Sequence, residues 1–122
     1  MTDIKCVDSS AWLAYHFATG TEIKEIIDTE GLLITSSLCL FEIKKKLLLL
    51  KQEPKQFLGF VKERSSIIFP DIEIVEKAAQ IAVEKKLGAM DALIYATAQL
   101  QNTELITGDN DFRGLEGVLI IS

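Results

Sequence analysis

Four acidic residues stand beside apolar segments, where a fully solvated carboxylate is not expected. They are Asp8, Glu42, Asp91 and Asp109. A buried carboxylate is costly unless it is paired with a cation or bound to a metal, and no set of Lys or Arg stands at comparable apolar positions. Hard oxygen ligands select Mg²⁺ or Mn²⁺. The four acids therefore predict a divalent-metal site, which is suited to hydrolysis of a phosphodiester bond.

Each acid also has an ordinary structural explanation. Asp8 and Asp91 stand where helices are expected to begin, and Asp is a common N-cap. Asp109 and Asp111 lie in the stretch TGDND, where Asp is typical of a turn. Glu42 is explained as a solvated residue only if its helix face is open. The metal interpretation depends on the four acids meeting in the fold.

The elements that must bring these acids together follow from the apolar pattern. Strands are predicted at residues 4–7, 31–35, 67–69, 104–107 and 118–121. Helices are predicted from about Ser10 to Gly20, 22–28, 36–52, 54–66, 72–86 and 90–101. This order indicates an α/β domain over residues 1–122 with a mostly parallel sheet of about four to five strands flanked by helices. Asp8 and Asp109 then follow the carboxyl ends of strands, where such sheets bind ligands.

Three of the predicted helices carry capping signals at their starts. Asp8 or Ser9 is expected to cap the first helix, Thr19 and Glu22 to form a capping box for the second, and Ser36 or Ser37 to cap the third. The third helix is apolar on most of its faces, which indicates burial against a core and also against a second subunit or a partner chain. The helix after Asp91 carries no charge over ALIYATAQLQ and is predicted to be the most buried.

Composition and charge limit the class of protein. The chain has 122 residues, of which 48% are hydrophobic and 25% charged, and this favours one globular domain. The net charge of −5 argues against a protein that is held on nucleic acid mainly by phosphate neutralisation. It leaves metal-assisted nuclease chemistry open. Since neither a membrane-spanning segment nor a signal peptide is visible, we expect a cytoplasmic protein without a membrane partner.

Two groups of basic residues could contact a substrate phosphate. Seven of the 13 basic residues fall between Lys44 and Arg64, and Lys45 and Lys46 follow Glu42 closely. They could form a phosphate-binding edge, although solvated helix faces explain them equally well. Arg113 stands next to the acidic loop, either as a phosphate contact or as an ordinary surface residue of a turn.

Five other residues with binding chemistry are predicted to be structural. Trp12 and Tyr95 have the helical spacing of core residues rather than of base-stacking platforms, Cys6 and Cys39 are expected to be reduced core thiols, and the lone His16 is expected near the surface with no role in a metal site.

Taken together, four stretches resemble the motif blocks of the PIN domain. They are VDSSAWLA at 7–14, FEIKKK at 41–46, MDALIYATA at 90–98 and LITGDNDF at 105–112. Their acids are separated by 34, 49 and 18 residues, in the order of the family's blocks. The resemblance covers essentially the whole chain, and the length is similar to that of VapC-type toxins of prokaryotic toxin–antitoxin pairs.

The resemblance implies a small α/β fold and a Mg²⁺- or Mn²⁺-dependent ribonuclease. It carries the metal-binding role to the four acids, and we expect Asp8, Asp91 and Asp109 to ligate the metal while Glu42 ligates it or orients its water. Asp111 matches an additional acidic position, and Ser10 and Thr107 match hydroxyl residues that support the acids. It further implies a homodimer, an RNA substrate and a small antitoxin that covers the active-site groove.

Two other enzyme classes with acids at strand ends do not fit the sequence. A response-regulator receiver needs paired acids early in the chain and a late Lys, and a haloacid-dehalogenase-type phosphatase needs an Asp two residues after Asp8, where Ser10 stands. Neither pattern is met. A non-catalytic module that binds RNA or protein keeps the same four acids, and so does an RNA-processing nuclease outside a toxin–antitoxin pair. Both alternatives remain open from the sequence.

Overall fold

Five short strands form one parallel sheet in the computed structural model, which describes residues 3–121. The strands are β1 (Lys5–Val7), β2 (Leu33–Ser36), β3 (Ser66–Ile68), β4 (Glu104–Thr107) and β5 (Val118–Ile120). Their order across the sheet is β3-β2-β1-β4-β5, and every neighbouring pair is parallel. The predicted α/β class and five strands are confirmed. Residues 1, 2 and 122 of the predicted domain lie outside the described residues.

Six helices connect and cover these strands. They are α1 (Ser9–His16), α2 (Thr21–Asp28), α3 (Ser37–Leu49), α4 (Lys55–Arg64), α5 (Ile72–Lys85) and α6 (Ala89–Leu100), and a short 3₁₀ helix spans Asn110–Phe112. The predicted helices are confirmed to within a few residues at their ends. The third was predicted to reach Gln52, but it ends at Leu49 because Lys51 adopts a left-handed backbone with φ 59°.

The strand order reverses between β1 and β4. From β1 the chain builds β2 and β3 outward on one side of the sheet, and then crosses to build β4 and β5 on the other. In open α/β sheets the crevice at this reversal, beyond the carboxyl ends of the strands, is where ligands bind. The fold therefore places the residues that follow β1 and β4 at the expected site.

Both faces of the sheet are buried, each in its own apolar layer. Successive strand residues point to opposite faces, so Cys6 packs in one layer with Leu105, and Val7 packs in the other with Ile106. The first layer is closed by α5, α6 and the start of α3, and the second by α1 to α4. Burial on two sides explains why consecutive residues of the central strands, such as Cys6 and Val7, are both apolar rather than alternating with polar ones.

The residues expected to be structural lie as predicted. Trp12 and Tyr95 are buried, Cys6 and Cys39 are buried free thiols, and His16 is exposed at the end of α1. Helix α6 has six buried residues among its twelve, in agreement with its charge-free sequence. No helix within residues 3–121 has the length and apolar character to cross a bilayer.

The capping predictions have mixed outcomes. Ser36 caps α3, since its Oγ accepts a hydrogen bond from the N–H of Leu38 at 3.2 Å. The capping box is wrong. Gly20 is the N-cap of α2, without a side-chain cap, and the Thr19 hydroxyl instead donates to the carbonyl of Ala14 at 3.3 Å. The physical reason is that Thr19 completes the end of α1, one residue before the second helix can be capped.

A buried hydrogen-bond chain joins α1, β2 and the end of α4. The Trp12 indole N–H donates to Thr35 Oγ1 at 3.1 Å, and Thr35 Oγ1 lies 2.7 Å from Ser65 Oγ. Ser65 Oγ donates its single hydrogen to the carbonyl of Val61 at 2.8 Å. Thr35 must therefore donate to Ser65 while it accepts from Trp12, and its hydroxyl satisfies both neighbours.

We expect Thr35→Val to lower the free energy of unfolding by about 1–3 kcal/mol, because it leaves the Trp12 N–H buried without an acceptor. Thr35→Ser keeps the hydroxyl and is expected to lose less. The matched control is Thr21→Val at an exposed helix position, with a change within about 0.5 kcal/mol. Urea unfolding measures all three, and equal values for Thr35→Val and Thr21→Val would contradict the assigned role.

Candidate metal centre

Asp8 and Thr107 are brought side by side by the pairing of β1 with β4. The register places Val7 opposite Ile106, and the backbone N–H of Asp8 continues the ladder by donating to the Ile106 carbonyl at 2.9 Å. Asp8 and Thr107, the next residues along the two strands, therefore lie together at the carboxyl edge of the sheet. Asp8 is 4% exposed, so its carboxylate depends on protein donors.

Two hydroxyl groups hold one oxygen of the Asp8 carboxylate. Thr107 Oγ1 donates to Asp8 Oδ2 at 2.7 Å, and Ser10 Oγ donates to the same oxygen at 3.0 Å. The two hydroxyls in turn accept backbone N–H groups, Ser10 from Gly108 at 2.9 Å and Thr107 from Asp109 at 3.0 Å. The loop after β4 is thus tied to Asp8 through both hydroxyls.

Glu42 reaches the same end of the sheet from α3. Its Oε1 accepts a hydrogen bond from Ser9 Oγ at 2.8 Å. Cys39 Sγ lies 3.9 Å from Asp8 Oδ1, and ligand atoms of Asp8, Cys39 and Glu42 all fall within 4.8 Å of one another. The sequence reasoning missed Ser9 and the nearness of Cys39. The spacing of Cys39, three residues before Glu42 and so on the same helix face, was the available signal.

The remaining acids form a second group across the site. Asp91, Asp109 and Asp111 each place a carboxylate oxygen within 4.8 Å of the other two. The N-cap explanation for Asp91 is wrong, because Gly88 caps α6 and Asp91 is its third residue. The turn explanation for Asp109 holds alongside the clustering, since its Oδ1 accepts the Asp111 N–H at 2.9 Å.

The two groups share one electrostatic environment, which raises the pKa of three of the acids. Burial is the main cause for Asp8, and its hydrogen bonds to Thr107 and Ser10 oppose the rise in its pKa. Burial also raises the pKa of Glu42, opposed by the Ser9 hydroxyl, with a further rise from the charge of Asp8. Burial and then the charge of Asp109 raise the pKa of Asp91 to about 6.

The donor set fits a hard divalent cation. The two salt bridges found within residues 3–121 join Lys5 to Glu104 and Lys24 to Asp28, away from the site. Within those residues no salt bridge therefore neutralises the clustered carboxylates, and the charges of neighbouring acids add to the rise in the pKa of Asp8, Glu42 and Asp91. Carboxylate oxygens are the ligands that Mg²⁺ and Mn²⁺ prefer. Burial raises the pKa of the Cys39 thiol well above its usual range, so a protonated sulfur borders this oxygen set.

The basic residues singled out from the sequence lie at the rim. Lys45 and Lys46 are exposed on α3, and the charge of Lys45 acts to lower the pKa of Glu42. Arg113 is exposed and donates from Nη2 to Asn110 Oδ1 at 2.7 Å, within the acidic loop. Contacts of these residues with substrate stay a prediction.

Comparison with protein families gives a match over nearly the whole chain. The family model described as PIN domain matches residues 5–118. No curated protein matches the sequence significantly.

Several solved structures share the fold. A toxin–antitoxin complex from Klebsiella pneumoniae superposes with a TM-score of 0.78 and 28% identity, covering 94% of this chain and 95% of that one. VapBC2 from Rickettsia felis, bound to promoter DNA, gives 0.77 and 16% identity, covering 96% of each chain. VapC20 from Mycobacterium tuberculosis, described as a toxin that cleaves the sarcin–ricin loop, gives 0.74 and 17% identity, covering 97% of this chain and 99% of that one.

The raised pKa of Asp91 predicts how stability depends on pH in the absence of metal. Between the ordinary value of 3.8 and about 6 the native state binds more protons than the unfolded state, so the free energy of unfolding falls as the pH rises through this window. Asp91→Asn removes this loss. In EDTA at pH 8 we expect the variant to be more stable by about 1 kcal/mol after allowance for solvent screening.

The comparison is made by urea unfolding from pH 4 to pH 8, with Asp3→Asn at an exposed position as the matched control. The advantage of Asp91→Asn should shrink towards pH 4, where the native carboxyl is protonated and the unfolded one, with its ordinary pKa of 3.8, is close to half protonated. An Asp91→Asn variant that is less stable than the wild type at pH 8 would contradict the assignment.

Proposed function

This chain belongs to the PIN domain family, and we propose that it is a Mg²⁺- or Mn²⁺-dependent ribonuclease that hydrolyses RNA phosphodiester bonds. The observation that carries the proposal is the convergence of Asp8, Glu42, Asp91 and Asp109 at the switch point of the sheet. These acids lie within electrostatic range of one another. A polyanionic substrate can approach them only if a cation first neutralises the cluster.

The residues divide the work of the proposed reaction. A divalent cation bound here supplies a water of lowered pKa and neutralises charge on the phosphate. Asp8, Asp91 and Asp109 would hold this cation, with Asp111 as an additional ligand. Glu42 would either join them or orient the attacking water.

Ser10 and Thr107 act on Asp8 rather than on the substrate. Because both donate to Oδ2, they fix the carboxylate plane and leave Oδ1 without a hydroxyl donor. Donors of this kind set the orientation and basicity of a metal ligand. We assign both hydroxyls this supporting role.

Exposed basic residues at the rim of the acidic site would bind the substrate phosphates. Lys45 and Lys46 stand on α3 beside Glu42, and Arg113 projects from the loop that carries Asp109 and Asp111. With a chain charge of −5, attraction of RNA must come from such local cations rather than from the whole-molecule field.

A role as the toxin of a type II toxin–antitoxin pair is the biological setting we propose. The structure from Klebsiella pneumoniae is a toxin–antitoxin complex, and VapC20 is described as a toxin that cleaves the sarcin–ricin loop. A small antitoxin would then cover the acidic groove, and the protein would act in the cytoplasm on RNA. A non-catalytic binding module would share the site and is an outcome of the activity test below. An RNA-processing nuclease outside such a pair would share both the site and the cleavage activity.

A homodimer is part of the proposal, since two helices expose large apolar side chains. On α3, Phe41 and Leu49 are 60% and 70% exposed, and on α5, Ile72 and Val83 are 79% and 80% exposed. Apolar surface of this kind is typical of an interface. The expectation that α3 has a second covered side thus remains a prediction.

The activity test uses purified protein with labelled tRNA and rRNA in Mg²⁺ or Mn²⁺. We expect EDTA to abolish cleavage, and Asp8→Asn to lower the rate by at least about 10²-fold, because several kcal/mol of charge stabilisation are lost. Asp3→Asn is the matched control, and circular dichroism checks that each variant is folded. The same trace activity in wild type and Asp8→Asn would mark contamination and favour the binding module.

The dimer is tested by light scattering after size exclusion. We expect the wild type at twice its chain mass of 13.6 kDa, and Leu49→Lys to shift the population to the monomer by placing a charge in the apolar contact. Lys51→Ala, an exposed change on the same segment, should leave the mass unchanged. A wild type that elutes at the monomer mass over the whole concentration range would contradict the dimer.

A further inference from the structure

Ser9 contacts a second acid of the site and is distinct from Ser10 and Thr107, whose hydroxyls support Asp8. It is the first residue of α1, directly after Asp8, and is 9% exposed. Its hydroxyl donates to Glu42 Oε1 at 2.8 Å, across 33 residues of sequence. This contact ties the start of α1 to the middle of α3.

Glu42 needs such a tie more than the other acids do. Its side chain has three rotatable bonds and is half-buried, so several rotamers are open to it unless a partner selects one. Within residues 3–121, Ser9 Oγ is the side-chain donor that reaches the Glu42 carboxylate. Asp8, in contrast, is fixed by two hydroxyls.

The bond also decides which oxygen of Glu42 is available. A hydroxyl has a single hydrogen, and Ser9 donates it to Oε1. Oε2 is then the oxygen left for a cation or a water. Asp8 differs, since two hydroxyls donate to its Oδ2 and the Cys39 thiol lies 3.9 Å from its Oδ1.

We infer that Ser9 is a positioning residue, whose hydroxyl directs Glu42 Oε2 into the acidic site and thereby sets the affinity of the site for its divalent cation. The inference rests on the proposed metal-dependent function. A purely structural role would make Ser9 important for folding but not for metal binding through Glu42. The two roles differ in a double-mutant cycle.

The experiment measures Mn²⁺ affinity from the free-ion signal in electron paramagnetic resonance, without RNA. The proteins are the wild type, Ser9→Ala, Ser9→Thr, Glu42→Gln and Ser9→Ala/Glu42→Gln. Loss of an outer-shell donor typically costs 10–100-fold in metal affinity, and we expect about 10-fold for Ser9→Ala. Ser9→Thr keeps the hydroxyl and should have the wild-type Mn²⁺ affinity. In the Glu42→Gln background, Ser9→Ala should cause no further loss of Mn²⁺ affinity.

The controls separate metal binding from folding. Thr21→Ala removes a hydroxyl from the first residue of α2, the same helix position, and should leave the affinity unchanged. Ser9→Cys keeps the side-chain size with a weaker donor, and we expect it to have an intermediate affinity. It replaces Ser9→Ala in the comparison if Ser9→Ala does not fold. In cleavage assays at saturating Mn²⁺, Ser9→Ala should lower kcat and leave the KM for RNA unchanged.

Two results would overturn the inference alone. One is wild-type Mn²⁺ affinity in folded Ser9→Ala or Ser9→Cys, and the other is an equal loss with and without the Glu42 carboxylate. A wild type that neither binds Mn²⁺ nor cleaves RNA would overturn the proposed function together with the inference. RNA cleavage that persists in Ser9→Ala with undiminished Mn²⁺ affinity would leave the proposed function standing without Ser9.

Discussion

Burial of the Asp8 carboxylate at the end of the central strand constrains the rest of the site. An ionised carboxylate in this place must accept several hydrogen bonds, and these come from the hydroxyls of Ser10 and Thr107. The same hydroxyls accept the N–H groups of Gly108 and Asp109. The path of the loop after β4 is therefore set by the groups that stabilise Asp8.

Hydrogen bonds orient these acids but do not remove their charge. Burial and the neighbouring acids still raise the pKa of Asp8, Glu42 and Asp91. Without a cation the site therefore lowers the stability of the native state at neutral pH. The sheet tolerates this because both of its faces are packed in apolar layers. The repulsion between like charges lies at the carboxyl edge of the sheet, where a bound cation would reduce it.

The sequence was sufficient for the fold and for the gathering of the acids. Continuous apolar segments gave the strands, and the positions of Asp8 and Asp109 after two of them indicated the functional edge. The division of the acids into two groups, one with Cys39 and one with Asp111, was not predicted. It depends on how α3 and α6 are rotated against the sheet, which a local pattern does not encode.

The wrong capping predictions for α2 and α6 share one physical cause. The spacing of Thr19 and Glu22 satisfies the capping pattern, but Thr19 hydrogen-bonds backward to α1 and Gly20 takes the cap position. Likewise Asp91 stands where an N-cap was expected, yet α6 begins earlier, at Ala89, and its N-cap is Gly88. Local hydrogen bonds have several possible acceptors, and the surrounding fold decides among them. The sequence did not predict the Ser9–Glu42 hydrogen bond for the same reason. Its partners are brought together by the packing of α1 against α3.

An acidic site in an acidic chain also places a condition on any polyanionic substrate. The phosphate and the carboxylates repel each other, so the free energies of cation binding and substrate binding must be coupled in the proposed function. By linkage, the factor by which the cation raises the affinity for RNA equals the factor by which RNA raises the affinity for the cation. Lys45 and Arg113 at the rim shift this balance only in part, because both are exposed and screened by salt. In the proposed function, metal occupancy, rather than the surface charge of the protein, is therefore the quantity that controls substrate binding.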